Sequence, residues 1–227
     1  MPSEAPYLHR HTRESIRDLP SLDNWWRKHE ADLVVNCVCE TCNSGWMNQI
    51  DEAAEPFTTQ MALGLETSFN TVADQLTVAA WMTKIALMFD QAAARPLVEP
   101  EDHRRFFTTK APLPGSIIWL ARAVPPANMF SAGGRPFGLR LDLGGTPEAA
   151  EADTANLYFC TVDVNHLLFQ VFIPRSDTPA GFPSDRPSEA PFVRKLWPSP
   201  LTKIVWPPPG FVPHEKLDAF ASAFITA

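Results

Sequence analysis

The chain has few cysteines and no cofactor signature. Four cysteines among 227 residues are too few for the disulfide framework that staples small secreted domains. Cys37, Cys39 and Cys42 fall too close together for ordinary pairing, and Cys160 stands alone in an apolar run. Reduced thiols in a cytoplasmic setting are therefore expected. No Gly-x-Gly-x-x-Gly, Walker loop or Gly-x-Ser-x-Gly occurs, so nucleotide binding and α/β-hydrolase chemistry have no support. The N-terminus, MPSEAPYLHRHTRES, is polar and lacks the apolar stretch of a signal peptide. The most apolar segment, around residues 76–89, is interrupted by Lys84 and is too short to span a bilayer. No membrane partner and no internal repeat are expected.

Excess basic charge is also missing. Lysine and arginine total 19 against 26 acidic residues, giving a net charge of −7 and a pI near 5.3. Proteins that live on nucleic-acid backbone usually carry a basic surface. The balance argues against non-specific DNA or RNA binding while leaving room for a local basic face. Hydrophobic residues at 45% and charged residues at 20% match a globular chain long enough for a sizeable core.

Proline is abundant, with 23 residues concentrated in the second half. Because proline fixes φ and lacks an N–H, that half is expected to hold short strands joined by rigid loops. Before it, the patterning is helical. Residues 31–38, ADLVVNCV, read as a short strand entering the cysteine cluster. Asn43 or Ser44 can cap a helix carrying Trp46, Ile50 and Ala53–Ala54, Pro56 should end or kink it, and Gly64 is a natural stop. Residues 72–93 form the clearest element. Val78, Trp81, Met82, Ile85, Met88 and Phe89 make a broad apolar face, and Asp74, Thr77, Lys84 and Gln91 a thin polar stripe. Trp81 and Ile85 are expected to be buried against a sheet. A short helix follows at EPEDHRRFFTT.

Beyond it the period changes to two. Strands are expected at 115–124, 137–145, 155–164 and 166–174, the last two as a hairpin about Val164 and Asn165. FVRKLWP and LTKIVWPP are candidate edge strands, and PHEKLDAFASAFI closes the chain as a helix lined by Leu217, Phe220, Ala221 and Phe224. The architecture expected is α+β: a knuckle and helix, a central buried helix, an antiparallel sheet and a C-terminal helix. The segments divide as an arm (1–34), the knuckle with its helix (35–64) and an α+β domain (65–227).

VNCVCETCNSGWMNQID holds the chemistry. Soft thiolates suit tetrahedral Zn²⁺, and a Cys-x-x-Cys turn can present two to one ion. A helix start favours the thiolate. Cys39 and Cys42 are thus the primary metal candidates, with Cys37 and His29 as weaker ones. Reduced structural cysteines beside a helix start are the alternative, and a redox dithiol would need a thioredoxin-like βαβ context that is missing. If metal is held, one Zn²⁺ on two thiolates must borrow ligands, from His29 and Cys37 or from the same pair in a second copy. His103, Arg104 and Arg105, in DHRRFF, offer a phosphate or base-stacking patch, with Arg104 and Arg105 as the nucleic-acid candidates; a surface helix with Phe106 or Phe107 in the core is the plainer account of them. Asp51, Glu52 and Glu55 are either carboxylates near a metal or a solvated helix face. His166 and His214 are isolated.

VCETCNSGWMNQIDEAAEPF resembles the second half of zinc-containing HNH endonuclease-like proteins of the treble-clef group. More closely, the chain resembles a family of bacterial and phage HNH-like proteins. Their knuckle runs Cys-Asn-x-Gly-Trp-Met before a glutamate and a proline. The corresponding features here are CNSGWM, Glu55-Pro56, VAAWMTKIALMFD, SIIWLARAV, IVWPPPGF and the final helix. The match is specific over Cys39–Met47 and loose elsewhere across 35–227. It implies a zinc site, DNA as partner and hydrolysis by a metal-bound water. Asn43 matches the residue after the second knuckle cysteine, though a helix N-cap accounts for it as well. Relatives carry an earlier Cys-x-x-Cys and a Glu/Asp–His pair whose histidine is the general base. LHRHTRES supplies neither. The expectation is a truncated or degenerate HNH-endonuclease-like protein without nuclease activity as it stands. The alternative is a non-catalytic protein-binding module, in a setting such as phage–host conflict, and a homodimer fits either.

Overall fold

The computed structural model describes residues 38–92, 97–125, 132–139, 157–174, 191–199 and 201–222. Helices α1 (Glu40–Cys42) and α2 (Asn48–Ala62) flank a π-helical segment, Asn43–Met47. Strand β1 (Thr67–Phe69), α3 (Val72–Ala92) and α4 (Pro100–Thr109) follow. Strands β2 (Ile117–Val124), β3 (Ala132–Leu139), β4 (Leu157–Val164), β5 (Leu167–Pro174) and β6 (Val193–Trp197) come next. β7 (Ile204–Trp206), β8 (Val212–Pro213), a 3-10 turn (His214–Lys216) and α5 (Leu217–Ser222) complete the order. The fold is α+β, as the sequence predicts.

The main sheet runs β3-β4-β5-β2-β6, each neighbouring pair antiparallel, with β8 added parallel to the end of β2. The expected hairpin is present: Val164 faces Leu167, and Asn165 takes a φ of 55°, a left-handed conformation that asparagine tolerates well. One face of the sheet, with Ile118, Leu120, Tyr158, Val162, Phe169 and Val171, packs on Val78, Met82 and Ala86 of α3. The other, with Trp119, Phe159, Leu168 and Phe172, is covered by Val212, Leu217 and Phe220. Both faces of β4 and β5 are therefore buried, which is why these strands read as near-continuous apolar runs.

Several expectations need correction. Cys39, not Asn43 or Ser44, is the residue that caps the helix start. Pro56 neither ends nor breaks α2. It lies on the exposed side, where water can take the Glu52 carbonyl its ring leaves free, while Ile50, Ala54 and Met61 bury the opposite side and hold both halves in line. Gly64 does stop the helix: at φ +76° it donates to the Met61 carbonyl at 3.0 Å, and Leu65 donates to Gln60 at 2.9 Å, a Schellman closure. Trp81 and Ile85 are half-buried. The fully buried stripe of α3 runs through Val78, Ala79, Met82 and Ala86, and Trp81 marks its edge toward α2.

The expected strand at 137–145 begins earlier, at Ala132, and residues 140–145 lie outside the described set. Gly133, Gly134 and Pro136 carry little strand signal, yet glycine is required. A Cβ on Gly134 would sit 2.2 Å from Cζ of Phe89. LTKIVWPP gives a strand that pairs not with the main sheet but with β1, a three-residue strand too short to show in the pattern.

Lys84, expected in a polar stripe, is buried. Its ammonium bonds to Asp51 Oδ1 of α2, which also accepts the Trp81 indole N–H at 3.0 Å. The Lys84 side chain is 7% exposed and that of Asp51 46%.

That asymmetry sets the first prediction. Asp51→Ala strands a buried ammonium and should cost about 2–3 kcal/mol, below the range for fully buried pairs because water reaches Asp51. Lys84→Met leaves a carboxylate that water can solvate and should be neutral within about 1 kcal/mol, or stabilising. Equal costs in urea unfolding would refute the asymmetry. Burial is also the main reason the Lys84 pKa lies below the usual 10.5, with Asp51 opposing it. Between the lowered folded value and the unfolded one, the unfolded chain holds the extra proton, so stability gains with rising pH in that window. The wild-type minus Lys84→Met difference isolates this rise.

Gly134→Ala should cost about 1–3 kcal/mol by overpacking. Combined with Phe89→Ala, itself worth roughly 3 kcal/mol, it should cost less than the sum of the two. Additive losses would show that the Phe89 ring is not what requires glycine at that position.

Candidate metal centre

Cys39 is extended (φ −72°, ψ 154°), and its Sγ accepts the Cys42 N–H at 3.4 Å. Its carbonyl takes the Asn43 N–H at 3.0 Å. The two cysteines thus bracket the first helical turn, with Cys39 exposed and Cys42 half-buried. The Cys42 backbone N–H is the leading cause that lowers the Cys39 thiol pKa from its usual value. Donation to sulfur favours the thiolate.

The turn then bends. Gly45 has non-helical angles (φ −96°, ψ −114°) between two helical stretches, and Ser44 Oγ donates to the Glu40 carbonyl at 2.7 Å. The bend seats Trp46 on α4, edge-on to Phe106 at 6.0 Å and Phe107 at 5.5 Å. Lys110 completes the cluster. It caps α4 in the left-handed region at φ 52°, its N–H on the Phe106 carbonyl at 2.8 Å. Its ammonium donates to the Phe107 carbonyl and lies 3.8 Å from the Trp46 ring centroid and 3.9 Å from that of Phe107, in cation–π range. Burial pushes the Lys110 pKa down, and the charge of Cys42 pulls it back up. Aromatic rings and an ammonium therefore stand beside the thiol pair.

Cys37 and His29, and the arm histidines His9 and His11, lie outside the described residues. Among the described residues, no cluster of three or more His, Cys, Asp or Glu could hold a metal. Cys39 and Cys42 have the donor chemistry Zn²⁺ takes and present two of its four usual ligands. Asn43 sits inside the helical turn with both neighbours. Asp51 is committed to Lys84 and Trp81, and Glu52 accepts from Asn48 Nδ2 at 2.7 Å.

On α4, Arg104 is held by Glu101 at 2.6 and 2.9 Å, and Arg105 is exposed. Phe106 is buried, while Phe107 is 51% exposed. His103 turns inward, 2.9 Å from Gln91 and 3.5 Å from the buried Asp90. Asp90 also accepts the Leu97 and Val98 N–H groups at 2.7 and 3.2 Å. His166 is built into the fold: its ring Nδ1 meets the Ala123 carbonyl at 3.1 Å and its backbone N–H donates to the Ala62 carbonyl at 3.2 Å. Lys110 and Asp90 escape the sequence reading because Trp46 for the one, and Leu97, Val98 and His103 for the other, are brought to them by folding. No protein-family model, curated protein or solved structure matches the chain.

In metal-free protein, Cys39 should react with iodoacetamide as a thiol of lowered pKa. Its alkylation rate, followed by peptide mass spectrometry, should reach half its plateau at a pH below that of a cysteine in an unstructured peptide. A midpoint at or above that value would mean the Cys42 N–H does not stabilise the thiolate.

Proposed function

We propose that this chain is a degenerate HNH-endonuclease-like protein that keeps the second zinc knuckle as a structural anchor and lacks nuclease activity as it stands. The observation that carries the reading is Cys39 capping the helical turn that contains Cys42, in the segment where the sequence resemblance is most specific. Zn²⁺, held there by Cys39 and Cys42, would supply a cross-link between the knuckle and whatever completes its ligand set. A cytoplasmic setting, which keeps thiols reduced, suits such a site.

No Glu/Asp–His pair precedes the knuckle. Among the described residues, the acid–histidine contact made by folding is Asp90 with His103, and it is spent on structure: Asp90 also anchors the chain entering α4. DNA as a partner rests on resemblance, and a net charge of −7 weighs against it. A protein-binding role is the second reading, including one in phage–host conflict. It is favoured by exposed Val72, Leu201 and Val205 around the small sheet, where Gln75 ties the 201–202 backbone to α3. Among the described residues, no helix is long and apolar enough to cross a membrane.

The test pairs elemental analysis with a nicking assay on supercoiled plasmid in Mg²⁺, Mn²⁺ or Zn²⁺. The expected outcome is zinc that depends on Cys39 and Cys42, with no nicking, since water attack on a phosphodiester lacks a positioned base. Absence of zinc in chelator-free protein, with the Cys39 and Cys42 thiols freely titratable, would end the metal reading. Nicking abolished by His9→Ala or His11→Ala would show that the arm supplies the base.

A further inference from the structure

We propose that Cys39 and Cys42 are a redox switch: a hydroperoxide joins them in a disulfide across the first helical turn, and the joined pair cannot hold Zn²⁺. The loss of zinc rests on the metal reading above; the disulfide rests on the turn alone.

The turn brings the two sulfurs within reach. Cys39 stands just before it in extended backbone, and Cys42 follows three residues on in helical backbone (φ −72°, ψ −43°). Cys39 Sγ lies 3.4 Å from the Cys42 nitrogen, over the residue it would join. A disulfide asks for Cβ atoms about 3.5–4.5 Å apart, against roughly 5–6 Å for neighbours one helical turn apart, so the backbone must close a little. Gly45 bends the chain at the end of the turn. Among the described residues, nothing beyond its own turn lies within 4 Å of the place of a Cβ there. The turn can therefore tighten without pushing on α2.

Exposure orders the chemical steps. Cys39 is exposed and Cys42 half-buried, so the oxidant meets Cys39 first. The Cys39 sulfur attacks one peroxide oxygen, the O–O bond breaks, and the other oxygen leaves with the Cys39 proton as water or an alcohol. The product is a sulfenic acid. The Cys42 sulfur then attacks the Cys39 sulfur. The S–S bond forms, the S–O bond breaks, and the hydroxyl leaves as water with the Cys42 proton. The thiol pair has lost a pair of electrons and a pair of protons, and the peroxide has gained them. Cys160, fully buried in β4, is out of the oxidant's reach. A dithiol catalyst of the thioredoxin type needs a fold built around its pair, whereas a switch needs only this turn and an exposed sulfur. Zinc is held by thiolates, and a disulfide has none to offer.

The experiment treats the full chain, zinc-loaded and metal-free, with hydrogen peroxide and reads peptide masses, free thiols and released zinc. The expected product links Cys39 to Cys42 and leaves Cys160 a thiol. Zinc should enter solution in step with it, and dithiothreitol with added zinc should reverse both changes. Cys42→Ser should stop at the Cys39 sulfenic acid, trapped by dimedone, and Cys37→Ser should still form the bond. A wild-type chain in which Cys39 runs on to the sulfinic acid while Cys42 stays a thiol would overturn the switch, as would a disulfide made through Cys37. A chain free of zinc that forms the bond would end the metal reading and leave the disulfide standing. Zinc that stays on the protein while the bond forms would overturn the release.

Discussion

Lys84 is a charge on α3, the helix packed between α2 and one face of the main sheet. α3 lies between α2 and the sheet, and its sequence is apolar on nearly all sides. A long ammonium side chain in that position must find an anion or leave the interior. Asp51 supplies the anion from α2 and also takes the Trp81 N–H, so one carboxylate oxygen fixes the rotation and height of α2 on α3. Apolar packing alone would let two such helices slide. Since α2 continues from the knuckle turn, that contact also sets where the thiols stand relative to the body. The hairpin tip holds the other end of α2, where Asn165 Nδ2 and the His166 N–H both donate to the Ala62 carbonyl at 2.8 and 3.2 Å.

The elements that could be read from the sequence are those whose reasons are local. The apolar face of 72–93, the alternation in 115–124 and the β-rich runs of 157–174 follow from which side is buried. Gly64 follows from the left-handed φ that ends a helix. The misreadings have tertiary causes. Pro56 is tolerated because the packed side of α2 holds the helix through it. Gly134 looks unlike a strand residue until the Phe89 ring is placed against it. Lys84 reads as solvent-facing until Asp51 arrives from another helix. At the knuckle, the spacing of Cys39 and Cys42 was legible, whereas Lys110 was not. Phe107 is three residues away, but the Trp46 ring and the Cys42 thiol that complete its surroundings come from a distant stretch of the sequence.

Lys110 also explains why the knuckle and α4 belong to one arrangement. As the left-handed cap of α4 it must satisfy carbonyls at a helix C-terminus, where a cation is favoured. A glycine would take that conformation at less cost. Lysine adds an ammonium that reaches the Phe107 carbonyl and two aromatic faces, at the expense of partial desolvation that lowers its pKa. The rings and the carbonyl offset part of that expense. Attraction to Cys42 opposes the lowering as well, and the contact with the Trp46 ring keeps α4 docked on the knuckle. By this coupling, the bend at Gly45, the seat of Trp46 and the cap of α4 are parts of one structure around the thiols.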